Sequence, residues 1–312
     1  MRKPLRPAAF FVGAPKSGSS ALSNFLAQHT EVSVSSPKEL NFFCRDLDLP
    51  RPRHEGQYLA HFTTTERTTI LLDASILSLY SKEAAREIAA YEKEARILVM
   101  LRDPVEAIAS WHQQMVFTGN EPIADLGQAL TAEEERRRGF RLPRAGTAAK
   151  CPGLLLYRDV MRYGEQLERY LGAFRRQQLH VVLFEQFRAR PIETYRNVLH
   201  FLGVDPQFSP ELREVNIARI RRSAGLHAAM KTVLAAPARR VLPLSLRVYV
   251  AEWLDRLNSR PAERIPVPGD VRERLRDEMA SDVRKLSDLL DRDVASIWWG
   301  TKCLPGGRGD SR

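Results

Sequence analysis

Two stretches of this sequence place cations and hydroxyls where a short apolar run ends, and both suit an anion. The first is Gly13-Ala14-Pro15-Lys16-Ser17-Gly18-Ser19-Ser20. Apolar residues 8–12 precede it, and Leu22, Phe25 and Leu26 follow at helical spacing. Between a strand and a helix, backbone N–H groups and the helix N-terminus can cradle a phosphate. Gly18 lets the backbone approach the anion, Ser17, Ser19 and Ser20 can donate hydroxyl bonds, and Lys16 supplies charge. A Walker A loop puts its Lys directly after the second Gly; here Ser19 stands there. The plainer alternative is a Ser/Gly turn in which Ser19 or Ser20 caps the helix. The second stretch is Arg102-Asp103-Pro104, after the apolar run at 96–101, with Ser110 near the second turn of the next helix. An Arg at the carboxyl end of a parallel strand points into the ligand crevice and offers a fork for phosphate. Arg102 could equally pair with Asp103 or cap a neighbouring element. Two such signals in one chain suggest a ligand with two separate phosphate groups.

The elements that must hold these loops alternate. Residues 8–13, 69–73, 96–101 and 179–184 read as strands, and 21–29, 81–94, 105–115, 158–174 and 191–202 as helices, the last closed by Gly203. The strands are continuous apolar runs, as strands covered on both faces should be. The expected fold is α/β: a parallel sheet flanked by helices, with a mainly helical C-terminal region. A single domain over 1–312 is expected, with its core at 8–203 and a helical extension at 205–300. Residues 119–153, which include Glu133-Glu134-Glu135-Arg136-Arg137-Arg138, read as a mobile excursion or partly helical lid. Residues 224–257 read as helical, 270–290 as a regular helix, and 303–312 as a disordered tail.

Composition narrows the class. The 312 residues hold 48 Lys+Arg against 38 Asp+Glu, a net charge of +10, with 44% hydrophobic residues, which excludes wholesale disorder. No apolar run approaches the ~18–20 residues of a membrane span. The basic N-terminus leads into an apolar run too short for a signal peptide, and Cys44, Cys151 and Cys303 have neither metal nor disulfide spacing. A cytoplasmic location and no metal site are expected. The Arg- and Ala-rich usage is compatible with a GC-rich bacterial source. The basic residues are spread along the chain, which suits an anionic ligand better than a nucleic-acid arm, and no helix-turn-helix or zinc-knuckle pattern is present.

These residues resemble the sulfotransferases that use 3′-phosphoadenosine 5′-phosphosulfate (PAPS). Pro15-Lys16-Ser17-Gly18-Ser19-Ser20 looks like that family's 5′-phosphosulfate loop, and Arg102-Asp103-Pro104 with Ser110 like its 3′-phosphate motif. Ser36-Pro37-Lys38-Glu39-Leu40-Asn41-Phe42-Phe43 resembles the K-E-x-x-F-F segment of the heparan-sulfate-type branch, and residues 153–203 also match at corresponding places. The resemblance covers about 8–203 well and implies a P-loop-like fold. It implies sulfuryl transfer from PAPS to an acceptor hydroxyl, less readily an amine, releasing adenosine 3′,5′-bisphosphate. Lys16 would contact the bridging oxygen, Pro15 to Ser20 would hold the 5′-phosphate, and Arg102 and Ser110 the 3′-phosphate. Among Arg219, Arg221 and Arg222, Arg222 is the preferred further 3′-phosphate ligand. Glu39 would be the general base, with Lys38 assisting or orienting it. His112 and His54 are the alternative bases.

Two departures concern the acceptor side. Asn41 stands where the branch often has His, and Ala74 follows Asp73 where it often has Lys. These argue against a heparan-like acceptor and leave a small molecule, glycoside or lipid-like hydroxyl compound. Residues 45–68, 119–153 and 225–265 would form its walls; the stretch 226–257 could instead be a buried helical subdomain or pair with a second subunit. Two rival readings remain at this level: a P-loop phosphotransferase with Asp73 holding magnesium, and a noncatalytic nucleotide- or nucleic-acid-binding protein.

Overall fold

The computed structural model describes residues 5–211, 219–221, 259–261 and 266–300. Five strands form one sheet: β1 (Pro7–Gly13), β2 (Val32–Val34), β3 (Ile70–Asp73), β4 (Arg96–Leu101) and β5 (Leu179–Leu183). Their order is β2-β3-β1-β4-β5 and every pairing is parallel. The helices between and after them are α1 (Ser19–Leu26), α2 (Glu55–Leu59), α3 (Ala84–Tyr91), α4 (Pro104–Thr118), α5 (Leu126–Thr131), α6 (Glu133–Arg137), α7 (Thr147–Lys150), α8 (Tyr157–Val160), α9 (Tyr163–Ala173), α10 (Phe184–Ala189) and α11 (Pro191–Leu202). Near the end of the chain come α12 (Gly269–Leu290) and α13 (Val294–Trp299).

The continuous apolar strand pattern has a direct cause. Successive side chains of a strand point to opposite faces, and here both faces are covered. Phe10 and Val12 of β1, with Ile97, Val99 and Leu101 of β4, join one core that includes residues of α4, α9 and α12. Ala9 and Phe11, with Leu98 and Met100, join the other, which includes Leu22 and Leu26 of α1 and Tyr195 and Leu199 of α11. Trp298 and Trp299 of α13 are buried in the first core.

Two local readings change and a third is decided. The helix expected at 158–174 breaks into α8 and α9. The Asp282 carboxylate of α12 accepts the backbone N–H groups of Gly164 and Glu165 at 2.9 and 3.0 Å, capping a new helix start, while Gln166 Nε2 donates to the Asp159 and Val160 carbonyls that close α8. Phe184 opens α10 rather than ending β5. Residues 119–153 are partly helical, as one alternative had it: they hold α5, α6 and α7, with largely exposed residues 138–146 between α6 and α7, and α6 is anchored in the protein. Arg136 of α6 and Glu121 form an ion pair with both side chains 0% exposed, and Tyr157 donates to the same carboxylate. An ion pair without water must be held by its packing.

The contacts divide the chain into two compact units, 1–213 with 267–312, and 214–266. Within the second, β6 (Arg219–Arg221) pairs antiparallel with β7 (Ser259–Pro261). The expected helix at 224–257 and tail at 303–312 lie outside the described residues. Among the described residues no helix is long and apolar enough to cross a membrane.

Candidate active site

β1 and β4 are neighbours, so the two predicted anion loops emerge side by side at the carboxyl edge of the sheet, where the strand order reverses. The join is hydrogen-bonded. The Ala14 N–H donates to the Met100 carbonyl at 2.7 Å, and Ser17 Oγ lies 2.5 Å from the Ala14 carbonyl and 2.6 Å from that of Met100. This corrects one expectation. Ser17 is fully buried and its single hydroxyl proton is used inside the loop, so it has only its backbone N–H for an anion.

Gly18 is the N-cap of α1, with φ 93°, and no side chain caps this helix. The Ser19 or Ser20 cap considered above is therefore not formed; both are helical residues, and the first-turn N–H groups of α1 have no side-chain acceptor. A Cβ on Gly18 would lie 2.8 Å from the Phe184 ring and 3.1 Å from Met100 Cε. Lys16 also has positive φ, 62°, and its Nζ donates to Gln114 Oε1 of α4 at 3.3 Å.

Arg102 follows β4 and is 6% exposed. Its guanidinium lies over the Phe184 ring at 5.2 Å and donates to Glu106 at 3.2 Å. Glu106 is an acidic partner; Asp103, the alternative considered above, caps α4 by accepting the Val105 N–H and is met by Trp299 Nε1. Burial pushes the Asp103 pKa up. Glu106, Ser110 and Gln114 recur every fourth residue along α4, giving a helix of mostly buried apolar residues one polar stripe. Lys16 and Arg102 both reach this stripe. Glu106 and Gln114 went unremarked in the sequence, although their spacing from Ser110 is visible there.

Glu39 sits beside the end of β3, next in the sheet to β1. Its N–H donates to the Ala74 carbonyl at 3.2 Å, and its Oε2 accepts the Ile76 N–H at 3.1 Å. Its φ is 63°. Non-glycine residues in this region are uncommon and concentrate at functional sites. Burial pushes the Glu39 pKa up to about 7; Lys38 and the Ile76 N–H oppose the rise and Asp73 adds to it. Lys38 is pushed down, chiefly by burial. Asn41 braces the turn: its side chain donates to the Glu39 carbonyl at 2.8 Å, and its N–H to Ser75 Oγ at 3.0 Å.

Asp73 is 2% exposed, and its oxygens accept from Tyr58 OH at 2.8 Å and Ser75 Oγ at 2.6 Å. The carboxylate required by the phosphotransferase reading is thus engaged inside the protein. His112 is buried with Nε2 at 2.9 Å from the Ile123 carbonyl, and burial lowers its pKa. His54 caps α2. Both alternative bases have structural partners. Arg222 lies outside the described residues.

The model of the sulfotransferase domain family matches residues 6–223, about seven tenths of the chain. The chain belongs to the sulfotransferase family. A sulfotransferase from Alicyclobacillus acidocaldarius shares its fold with a TM-score of 0.70 and 26% identity, over 93% of this chain and 98% of that one. The bifunctional heparan sulfate N-deacetylase/N-sulfotransferase 1 of Caenorhabditis briggsae is 25% identical over 238 residues, covering 72% of this chain and 25% of its own length. The human enzyme 3 of that name is 28% identical over 216 residues, covering 65% and 23%. The chain therefore spans about a quarter of the curated relatives it matches. It is a member of a PAPS-dependent family of sulfuryl-transferring enzymes, with a parallel five-stranded sheet flanked by helices.

Proposed function

We propose that this sulfotransferase moves the sulfuryl group of PAPS to a hydroxyl of a small-molecule or carbohydrate acceptor, with Glu39 as general base. The observation that supports it most is the Ala14–Met100 and Ser17–Met100 join, which sets the loop after β1 against the Arg102 loop after β4. One crevice edge then carries an uncapped helix N-terminus and Lys16 for the phosphosulfate, and Arg102 with Ser110 for the 3′-phosphate. These donors fit a nucleotide with two separate anionic ends.

In the proposed step the acceptor oxygen attacks sulfur, and the bond from sulfur to the bridging oxygen of the 5′-phosphate breaks. Glu39 takes the acceptor proton, and adenosine 3′,5′-bisphosphate leaves with the bridging electron pair. Charge spreads over the sulfuryl oxygens and the leaving phosphate, so positioned cations do most of the work. Lys16 meets the bridging oxygen, and Lys38 orients Glu39. A carboxylate with a pKa of about 7 is matched to general-base work near neutrality. The likeness to N-sulfotransferases supports an amine acceptor as a second reading. Cys44 and Cys151, buried free thiols, suit a cytoplasmic setting.

The test is release of adenosine 3′,5′-bisphosphate from PAPS with a panel of alcohols, glycosides and amines. Lys16→Ala should lower kcat, and Arg102→Ala should raise the KM for PAPS. Wild-type turnover in either variant would remove that residue from the site.

A further inference from the structure

Glu106 raises a problem for the donor site. Its carboxylate lies 3.2 Å from Arg102, the residue that would clamp the 3′-phosphate. A phosphate arriving there meets a fixed negative charge and competes with it for one guanidinium. The structure supplies a second cation to that carboxylate. Arg272 of α12 donates to Glu106 Oε1 at 2.6 Å, while Arg102 uses Oε2. Glu106 thus lies between two arginines.

The position of Arg272 is informative by itself. It falls at the start of α12, where a cation opposes the helix dipole. Helix stability therefore gives no reason for it. Neither Glu106 nor Arg272 is deeply buried, with side chains 32% and 30% exposed, whereas the Arg102 side chain is 7% exposed. The buried cation is the one the PAPS reading gives to the 3′-phosphate, and the charges paired with it are more accessible groups. The two arginines and one carboxylate sum to a single positive charge.

We infer that Arg272 is a positioning residue for the donor nucleotide: it holds and neutralises Glu106, so that Arg102 turns its fork onto a 3′-phosphate, and it thereby sets the preference for 3′-phosphorylated nucleotides. The inference rests on the PAPS reading above. Without Arg272, Glu106 keeps Arg102 for itself and repels the phosphate. Without both Arg272 and Glu106, Arg102 is released again.

The test uses the full chain and calorimetric titration with two probes, adenosine 3′,5′-bisphosphate and adenosine 5′-monophosphate. Arg272→Ala should weaken the bisphosphate roughly tenfold, the order expected for one uncompensated charge several ångströms away in a half-solvated site, and leave the monophosphate unchanged. Adding Glu106→Gln to Arg272→Ala should restore bisphosphate affinity, and Arg272→Lys should retain most of it. The restored double variant also shows that the fold survives loss of Arg272. Equal weakening of both nucleotides, no weakening, or no recovery in the double variant overturns the inference. A wild-type protein that binds the two nucleotides equally overturns the donor reading itself, which separates the two failures.

Discussion

Glu39 offers the sharpest perturbation. Burial raises its pKa from 4.5 to about 7, against the pull of Lys38 and the Ile76 N–H. A base must be ionised to accept a proton. With a pKa of about 7, the ionised fraction climbs from about 10% at pH 6 to about 90% at pH 8. With an alcohol acceptor far below its KM, kcat/KM should rise about ninefold over that interval and then level off. An ordinary carboxylate would already be ionised at pH 6 and give a flat profile. Glu39→Gln keeps an acceptor for the Ile76 N–H but cannot take a proton; kcat/KM should fall roughly 10²–10⁴-fold and lose this pH dependence. Stability should move the other way. The folded pKa lies above the unfolded one, so between about pH 4.5 and 7 the native state binds more protons, and wild-type stability falls as pH rises through that window. Glu39→Gln removes this cost, on the order of 1–2 kcal/mol after allowance for partial exposure, so the variant should melt higher than wild type at pH 8 and equally at pH 4. A flat wild-type profile between pH 6 and 8, or a variant that keeps the pH-dependent turnover, would refute the assignment of the base.

Two further substitutions probe the scaffold. Gly18→Ala forces a side chain into the left-handed region and 2.8 Å from the Phe184 ring that lies under Arg102. It should cost about 1–3 kcal/mol in denaturant melts and weaken bisphosphate binding, and unchanged binding would detach the loop from the site. Glu121→Gln leaves Arg136 charged at 0% exposure. The expected loss is about 3–5 kcal/mol, and a melting temperature equal to wild type would show that the Glu121–Arg136 pair does not anchor α6.

The sheet and its order along the chain were legible because buried parallel strands have to be continuous apolar runs. β1, β3, β4 and β5 are such runs. β2, with three residues at the sheet edge, is too short to show one. The break between α8 and α9 was invisible because the group that caps α9, Asp282, is 118 residues from Gly164. Charge runs hide which members turn inward, so nothing in the run at 133–138 marked Glu133 and Arg136, 1% and 2% exposed, as the buried ones. In the proposed site, Lys16, Gly18, Glu39 and Arg102 were readable from motif, spacing and family resemblance. The hydroxyl of Ser17 was misassigned because sequence cannot show that neighbouring carbonyls already use it. Arg272 was out of reach, since its link to Glu106 spans 166 residues.

The paired loops after β1 and β4 are proposed to hold a nucleotide with separate 5′ and 3′ anions. Calorimetric titration of the wild-type chain with adenosine 3′,5′-bisphosphate and, in parallel, ATP without added metal tests it directly. Tight binding of the bisphosphate and little of ATP is the expected result. Binding of ATP with no binding of the bisphosphate would contradict it.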